Sequence, residues 1–207
     1  MTGLCYSFEG MIPVVHPSSF VHPTAVLIGD VRIGPGCYIG PGASLRADFS
    51  SVIIGAGVNI QDYCILHGTP GFHTTIEDNG HVGHGSVVHG CLIRRNALIG
   101  MSSAIYDGAE VGENAIIGAM AFVPAGAKIP PGVLAAGLPA KVLRALSAEE
   151  IARKTRGTEA YQMLAAKCLE SFKPCQPLPE PEPGRESMDP SAIWPDDLTR
   201  HKPGGKG

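Results

Sequence analysis

An aliphatic residue recurs every six positions through the middle of the chain. The longest run has seven members at this spacing: Ile93, Ile99, Ile105, Val111, Ile117, Val123 and Ile129. Neither the 3.6-residue period of a helix nor the 2-residue period of a flat strand produces it. A period of six is typical of a flat segment followed by a corner, and three such segments close a triangular coil of about 18 residues. Stacked coils form a parallel β-helix with the aliphatics inside.

The pattern therefore predicts an all-β solenoid over residues 26–140, preceded by an N-terminal segment, residues 1–25. A β-sandwich with coincidental spacing is the alternative, and seven successive repeats count against it. Two intervals are longer than six residues, Leu45 to Ile54 and Leu66 to Val82. We expect inserted residues near 48–51 and a protruding loop within 68–80.

After residue 140 the period changes. Ser147 followed by Glu150 three positions later is a capping box, which predicts a short helix that Gly157 ends. Thr158 begins a second predicted helix that reaches about Phe172, so residues 141–173 hold C-terminal α-helices. Residues 174–207 are rich in Pro and Glu and are predicted to be a poorly ordered tail.

Composition narrows the class of protein. Only 17% of residues are charged and the net charge is -3, which argues against nucleic-acid binding. No apolar stretch approaches 18 residues, so we expect no membrane span. The chain shows no basic segment followed by an apolar run, and its six cysteines include no C-x-x-C pair. These features favour a cytoplasmic protein with free thiols.

Five of the eight histidines lie mid-chain: His73 in the predicted loop, and a cluster of His67, His81, His84 and His89. His67 and His89 each follow an interior aliphatic residue, so both point outward, and we expect them to stack one coil apart. His84 lies near a corner, and a neighbouring subunit could bring it to the same point. Three histidines with an open fourth position form the pattern of catalytic zinc. Alternatively, these imidazoles only hydrogen-bond across a subunit interface.

Several motifs resemble the γ-class carbonic anhydrase family of hexapeptide-repeat proteins. They are Asn59-Ile60-Gln61-Asp62 with His67, the segment from His84 to Cys91, Arg46-Ala47-Asp48, and Gly137-Leu138-Pro139-Ala140-Lys141. The resemblance covers roughly residues 10–173. It implies a left-handed β-helix and a homotrimer with metal sites between subunits, His67 and His89 coming from one subunit and His84 from its neighbour. The implied metal is Zn²⁺, with Co²⁺ or Fe²⁺ as alternatives.

The resemblance also implies roles for other residues. Gln61 matches the glutamine that orients the metal-bound water, and Arg46 and Asp62 match an intersubunit ion pair near the site. Two features depart from the family pattern. Phe49 stands where the family has a carboxylate, and the acidic loop is short, with Pro70 at about the place of its proton-shuttle glutamate.

Within the family, the chain is most similar to the phenylacetic-acid-degradation (PaaY-type) proteins and their carnitine-operon relatives. That similarity includes residues 157–162, whose Tyr161 is a further candidate catalytic residue. It implies hydrolysis of aromatic acyl-CoA thioesters by metal-bound hydroxide, and Phe49 would give the site an apolar mouth. The alternatives are CO2 hydration, a CoA acyltransferase and a non-catalytic trimer. Arg94 and Arg95 could hold CoA phosphates or could simply be solvated.

Overall fold

The computed structural model describes residues 3–189. They form a left-handed parallel β-helix of about seven turns and a single C-terminal α-helix, which confirms the predicted fold class. Strands pair in parallel along the whole solenoid. Two of the three prism faces belong to one 12-stranded sheet, because two long strands bend from one face to the next, and the third face is an 8-stranded sheet.

Each face is a stack of short strands. The first face contains Leu4–Tyr6, the beginnings of Val26–Ile33 and Ser44–Ile54, then Ile65–His67, Val87–His89, Ala104–Ile105 and Phe122–Val123. The second contains Val14–Val15, the ends of the same two long strands, then Thr74–Ile76, Leu92–Ile93, Glu110–Val111 and Lys128–Ile129. The third contains Phe20–Val21, Tyr38–Ile39, Asn59–Ile60, His81–Val82, Leu98–Ile99, Ile116–Ile117, Val133–Gly137 and the antiparallel strand Ala140–Ala145.

The repeat aliphatics fill the interior. All seven members of the long run are buried, the most exposed being Ile129 at 7%. Small residues such as Cys37, Cys64 and Ala97 occupy other interior positions, so the core needs few aromatic rings. All six cysteines are free, as predicted.

The two predicted insertions contact each other. The first lies within strand Ser44–Ile54, which stays continuous while it turns from the first face to the second. The second begins with a bridge between Thr69 and Phe72 and then rejoins the second face as Thr74–Ile76. Ser50 Oγ donates to the carbonyl of Phe72 at 3.0 Å, which holds the protruding turn against the first insertion.

One helix, Ala148–Ser171, replaces the two predicted C-terminal helices. The capping box of Ser147 and Glu150 is present, but the prediction that Gly157 ends a helix is wrong. Glycine costs only about 1 kcal/mol within a helix. Packing outweighs that cost, because buried residues on both sides of Gly157, including Lys154 and Thr158, dock on the third face.

The solenoid begins earlier in the chain than the sequence predicted. Strands within residues 3–25 pair with solenoid strands, so parallel pairing starts before residue 26. Residues 174–189 contain no helix or strand. The rest of the predicted tail, residues 190–207, lies outside the described residues.

Candidate functional site

His67 and His89 stand side by side on the first face. Parallel pairing puts them in register, with one coil and a four-residue insertion accounting for their separation of 22 residues. His67 Nδ1 and His89 Nε2 are 3.1 Å apart. The two imidazoles therefore stack one coil apart, as the spacing predicted.

A carboxylate holds the other nitrogen of each imidazole. His67 Nε2 lies 2.8 Å from Asp48 Oδ1, and His89 Nδ1 lies 2.7 Å from Asp107 Oδ1. Ionised carboxylates only accept hydrogen bonds, so in a neutral pair each imidazole carries its proton on the nitrogen that faces its carboxylate. The two nitrogens that face each other then both present lone pairs. A shared proton or a cation between them relieves that repulsion.

Asp48 also binds Arg46, whose Nη1 is 2.6 Å from Asp48 Oδ2. Burial acts to raise the pKa of Asp48, but the hydrogen bonds from Arg46 and His67 outweigh it and leave the pKa below its ordinary value. Asp48 therefore stays ionised and keeps accepting from His67. The Phe49 ring, 61% exposed, lies 5.7 Å from the His67 ring and makes this side of the site apolar.

Gly90 is needed where the two carboxylate-histidine pairs meet. Its φ is +55°, and a Cβ at this position would collide with Asp107 Oδ1. A side chain at residue 90 would therefore displace the carboxylate that orients His89.

His84 belongs to a different part of the molecule. It is exposed at the corner that follows the third face, and its Nδ1 lies 2.8 Å from Asp62 Oδ2. Like His89, it has one nitrogen against a carboxylate and the other directed elsewhere. Within residues 3–189, no group of three potential ligands is close enough to hold a metal ion. His84 of the same subunit is therefore not near enough to complete a site with His67 and His89, and its donation by a neighbouring subunit stays a prediction.

Gln61 lies beside His84, on the third face. The two line a groove of about 340 Å³, together with His81, Tyr161 and an apolar strip that includes Leu98, Ile116 and Met101. The Tyr161 ring packs edge-on against His81 with ring centroids 5.5 Å apart, and burial raises the pKa of Tyr161. Candidate residues from the sequence thus divide into two groups: Arg46, His67 and His89 on the first face, and Gln61, Asp62, His84 and Tyr161 near the third.

The predicted pair of Arg46 and Asp62 is not formed within the subunit. Arg46 binds Asp48 and Asp62 binds His84, so a contact between Arg46 and Asp62 remains a prediction about the assembly. Arg94 is engaged with Glu77 and Glu110, and Arg95 lies near Glu113, so both face acidic partners.

Sequence reasoning missed Asp107 and the role of His81. Asp107 follows His89 by 18 residues, one uninterrupted coil, so the repeat itself predicts that their side chains stack. Asp62 and His84 are 22 residues apart, the same spacing as His67 and His89. His81 gives no comparable signal, because its partners include the C-terminal helix, whose docking position the repeat does not predict.

No helix among the described residues is long and apolar enough to cross a membrane. The cytoplasmic location inferred from the sequence remains a prediction.

Comparison with known proteins gives consistent results. A family model described as bacterial transferase hexapeptide (six repeats) matches residues 12–47 and 90–125. The carnitine operon protein CaiE of Escherichia coli is 52% identical over 183 residues, covering 88% of this chain and 93% of that protein. A CaiE from Proteus is 47% identical with the same coverage of both chains.

Two solved structures share the fold closely. A Bacillus cereus protein named as a candidate acetyltransferase is 40% identical with a TM-score of 0.79, covering 81% of this chain and 97% of its own. A hexapeptide transferase family protein from Anaplasma phagocytophilum is 34% identical with a TM-score of 0.77, covering 81% and 99%. These names refer to carnitine-operon proteins and transferases, and the phenylacetate branch remains a prediction. The chain belongs to the hexapeptide-repeat transferase family.

Proposed function

We propose that this protein transfers acyl groups from coenzyme A thioesters at a histidine site completed by a second copy of the chain. The observation that carries the proposal is the common arrangement of His67, His84 and His89. Each has one imidazole nitrogen on a carboxylate, and the second nitrogens of His67 and His89 face each other. A carboxylate that fixes the tautomer and orientation of a histidine is the arrangement required for a general base and also for a metal ligand.

The names of the relatives favour an acyltransferase over the hydrolase inferred from the sequence. In that reaction a hydroxyl or amine of an acceptor attacks the thioester carbonyl. The acceptor loses its proton to an imidazole nitrogen, a bond forms between the acceptor and the acyl carbon, and the carbon–sulfur bond breaks. The proton then passes from the imidazole to the departing CoA thiolate. Asp107 holds the proton of His89 on Nδ1, which leaves Nε2 as the basic atom.

A specific observation favours a second candidate, thioester hydrolysis assisted by a metal. Two imidazole nitrogens 3.1 Å apart, both with lone pairs inward, fit a shared cation. Ligand nitrogens about 2.0–2.1 Å from a tetrahedral zinc would lie about 3.3–3.4 Å from each other. His67 and His89, with His84 of a neighbouring copy, would hold the ion. When bound, such an ion lowers the pKa of a coordinated water to about 7.

In either reaction the chain's own residues have the same tasks. Asp48 and Asp107 orient the imidazoles, and Phe49 offers an apolar surface to the acyl group next to His67. Fast CO2 hydration needs an efficient proton exit, and an exposed phenyl ring cannot supply one, so the site fits a thioester better than CO2.

One assay separates the candidates. Purified protein, either stripped with a chelator or loaded with Zn²⁺ or Co²⁺, is incubated with short, branched and aromatic acyl-CoAs, and free CoA is measured by chromatography. CoA release that requires an added amine or alcohol identifies a transferase. Release to water that depends on metal identifies a thioesterase. A preparation that releases no CoA under any of these conditions, while Asp107→Asn behaves identically, would refute the proposal and favour a non-catalytic assembly.

A further inference from the structure

A polar triangle lies on the third face, covered by the C-terminal helix. Its members are Asn59, Gln61 and His81, and the first two are 1% and 3% exposed. Gln61 Nε2 donates to Asn59 Oδ1 at 3.0 Å and lies 2.8 Å from His81 Nε2. In a buried cluster of this kind each polar atom needs a hydrogen-bond partner.

The protonation state of His81 determines which atoms of the triangle donate hydrogen bonds and which accept them. Burial, with a further contribution from Lys154, lowers the pKa of His81 to about 3, so the ring is neutral and carries one proton. Because Gln61 donates to Nε2, that proton is on Nδ1. Asn59 Nδ2 and Thr158 Oγ1 approach Nδ1 at 3.2 and 3.5 Å, and of these only the threonine oxygen can accept it.

Both amide hydrogens of Gln61 are therefore used inside the triangle. This leaves the acceptor Oε1 without a role in the triangle, and Gln61 is one of the residues that line the groove beside His84. We propose that His81 is a positioning residue that fixes the Gln61 amide with Oε1 toward this groove. The inference rests on the proposed function, in which Oε1 accepts a hydrogen bond from the attacking hydroxyl, amine or water and so directs its lone pair at the acyl carbon.

The C-terminal helix takes part in this arrangement. Thr158 and Tyr161 both contact His81 from the helix, and Lys154 anchors the same helix through the Asn79 carbonyl at 2.9 Å and Asn96 Oδ1 at 2.7 Å. The orientation of Gln61 therefore depends on a helix that packs on strands of the third face. This gives the helix a role in the reaction beyond covering the apolar strip.

A double-mutant cycle tests the proposal with the full-length protein. His81→Phe keeps a ring but removes the acceptor, and we expect kcat for acyl-CoA turnover to fall about 10–100-fold with KM nearly unchanged. His81→Gln offers an amide oxygen to Gln61 and should restore kcat to within about threefold. In a Gln61→Ala background, His81→Phe should have no further effect. His73→Phe, an exposed histidine in the protruding turn, is the matched control and should leave kcat unchanged.

Strictly additive effects of Gln61→Ala and His81→Phe on kcat would overturn the inference while leaving the proposed function intact. A Gln61→Ala enzyme of normal kcat would remove Gln61, and with it His81, from the mechanism. If no acyl-CoA is turned over at all, the proposed function fails, and NMR decides the arrangement separately. We expect the Gln61 side-chain amide protons to exchange slowly in the wild type and quickly in His81→Phe. Equal exchange rates would show that His81 does not hold the amide.

Discussion

The two halves of the candidate site are built in different ways. On the first face, His67 and His89 are ionisable groups backed by carboxylates, and the stacking of coils alone places them. On the third face, Gln61 and His81 form a neutral hydrogen-bonded cluster that needs the C-terminal helix. The first half can move protons or bind a cation, and the second can orient a reactant. Under the proposed function the two halves meet only when a second copy of the chain brings them together.

The difference has a further consequence for stability. Side chains on the first face depend on local register, so they remain in place as long as the solenoid is folded. The third-face cluster also depends on the docked helix, and we expect local opening of that helix to cost less free energy than unfolding of the solenoid. Perturbing the helix should therefore affect Gln61 and leave the paired imidazoles in place.

The strongest test mixes two inactive variants. His89→Ala disables the first-face half and His84→Ala the other half, and each should lower kcat by about 1,000-fold or more, because a base or ligand is removed. If each site combines halves from two subunits, unfolding and refolding the variants together should form mixed trimers. About a quarter of the interfaces then contain two intact halves, so about a quarter of the wild-type activity should return.

The matched control mixes His89→Ala with His67→Ala. Both substitutions lie on the first face, so no interface in a mixed trimer can combine two intact halves. We therefore expect no activity from this mixture. Recovery in this control, or none in the first mixture despite mixed trimers seen by native mass spectrometry, would show that the site is not shared in this way.

Lys154 provides a pH-dependent test of the helix. Burial lowers the pKa of Lys154 from 10.5 to about 7. Between these values the unfolded chain binds more protons than the native one, so native stability rises with pH across that window. Relative to Lys154→Met, the free energy of unfolding of the wild type should increase by about 2–4 kcal/mol from pH 7 to pH 10.

Denaturant titrations of both proteins across this pH range measure the difference. Lys128→Met, at an exposed lysine of the second face, serves as the control and should show a much smaller trend. If the difference in unfolding free energy between wild type and Lys154→Met did not change with pH, Lys154 would not be buried between the helix and the solenoid. The first-face histidines should show unchanged NMR signals in Lys154→Met, because the helix packs on strands of the third face.

The sequence predicted the first-face half of the site far better than the third-face half. A period of six and an 18-residue coil place His67 over His89, and the same arithmetic would have placed Asp107 beside His89. The orientation of the Gln61 amide depends on where the C-terminal helix docks and on the protonation of His81. The six-residue period predicts neither of these. Gly157 shows the same limit, because local propensity predicted a helix end and packing against the third face overruled it.

A smaller effect is expected at the mouth of the first-face half. Phe49→Ala removes the exposed ring beside His67, so KM for aromatic or long-chain acyl-CoAs should rise about 5–10-fold, while KM for acetyl-CoA changes little. Steady-state kinetics on the two substrate classes make the comparison. Phe8→Ala, at another exposed phenylalanine in the N-terminal segment, is the control. An equal rise in KM for acetyl-CoA would mean that Phe49 does not contact the acyl group.

The smallest effect concerns the helix itself. A Cβ at Gly157 would meet nothing within 4 Å, and the backbone there is helical, so Gly157→Ala should fit without strain. Alanine loses less conformational entropy on folding, which should raise the free energy of unfolding by about 0.5–1 kcal/mol. If the helix holds the third-face cluster, the same substitution should also slow exchange of the Gln61 amide protons and leave the His67 and His89 ring signals unchanged. A gain in stability without slower amide exchange would show that the orientation of Gln61 does not depend on helix docking. His81 would then hold the Gln61 amide without help from the helix.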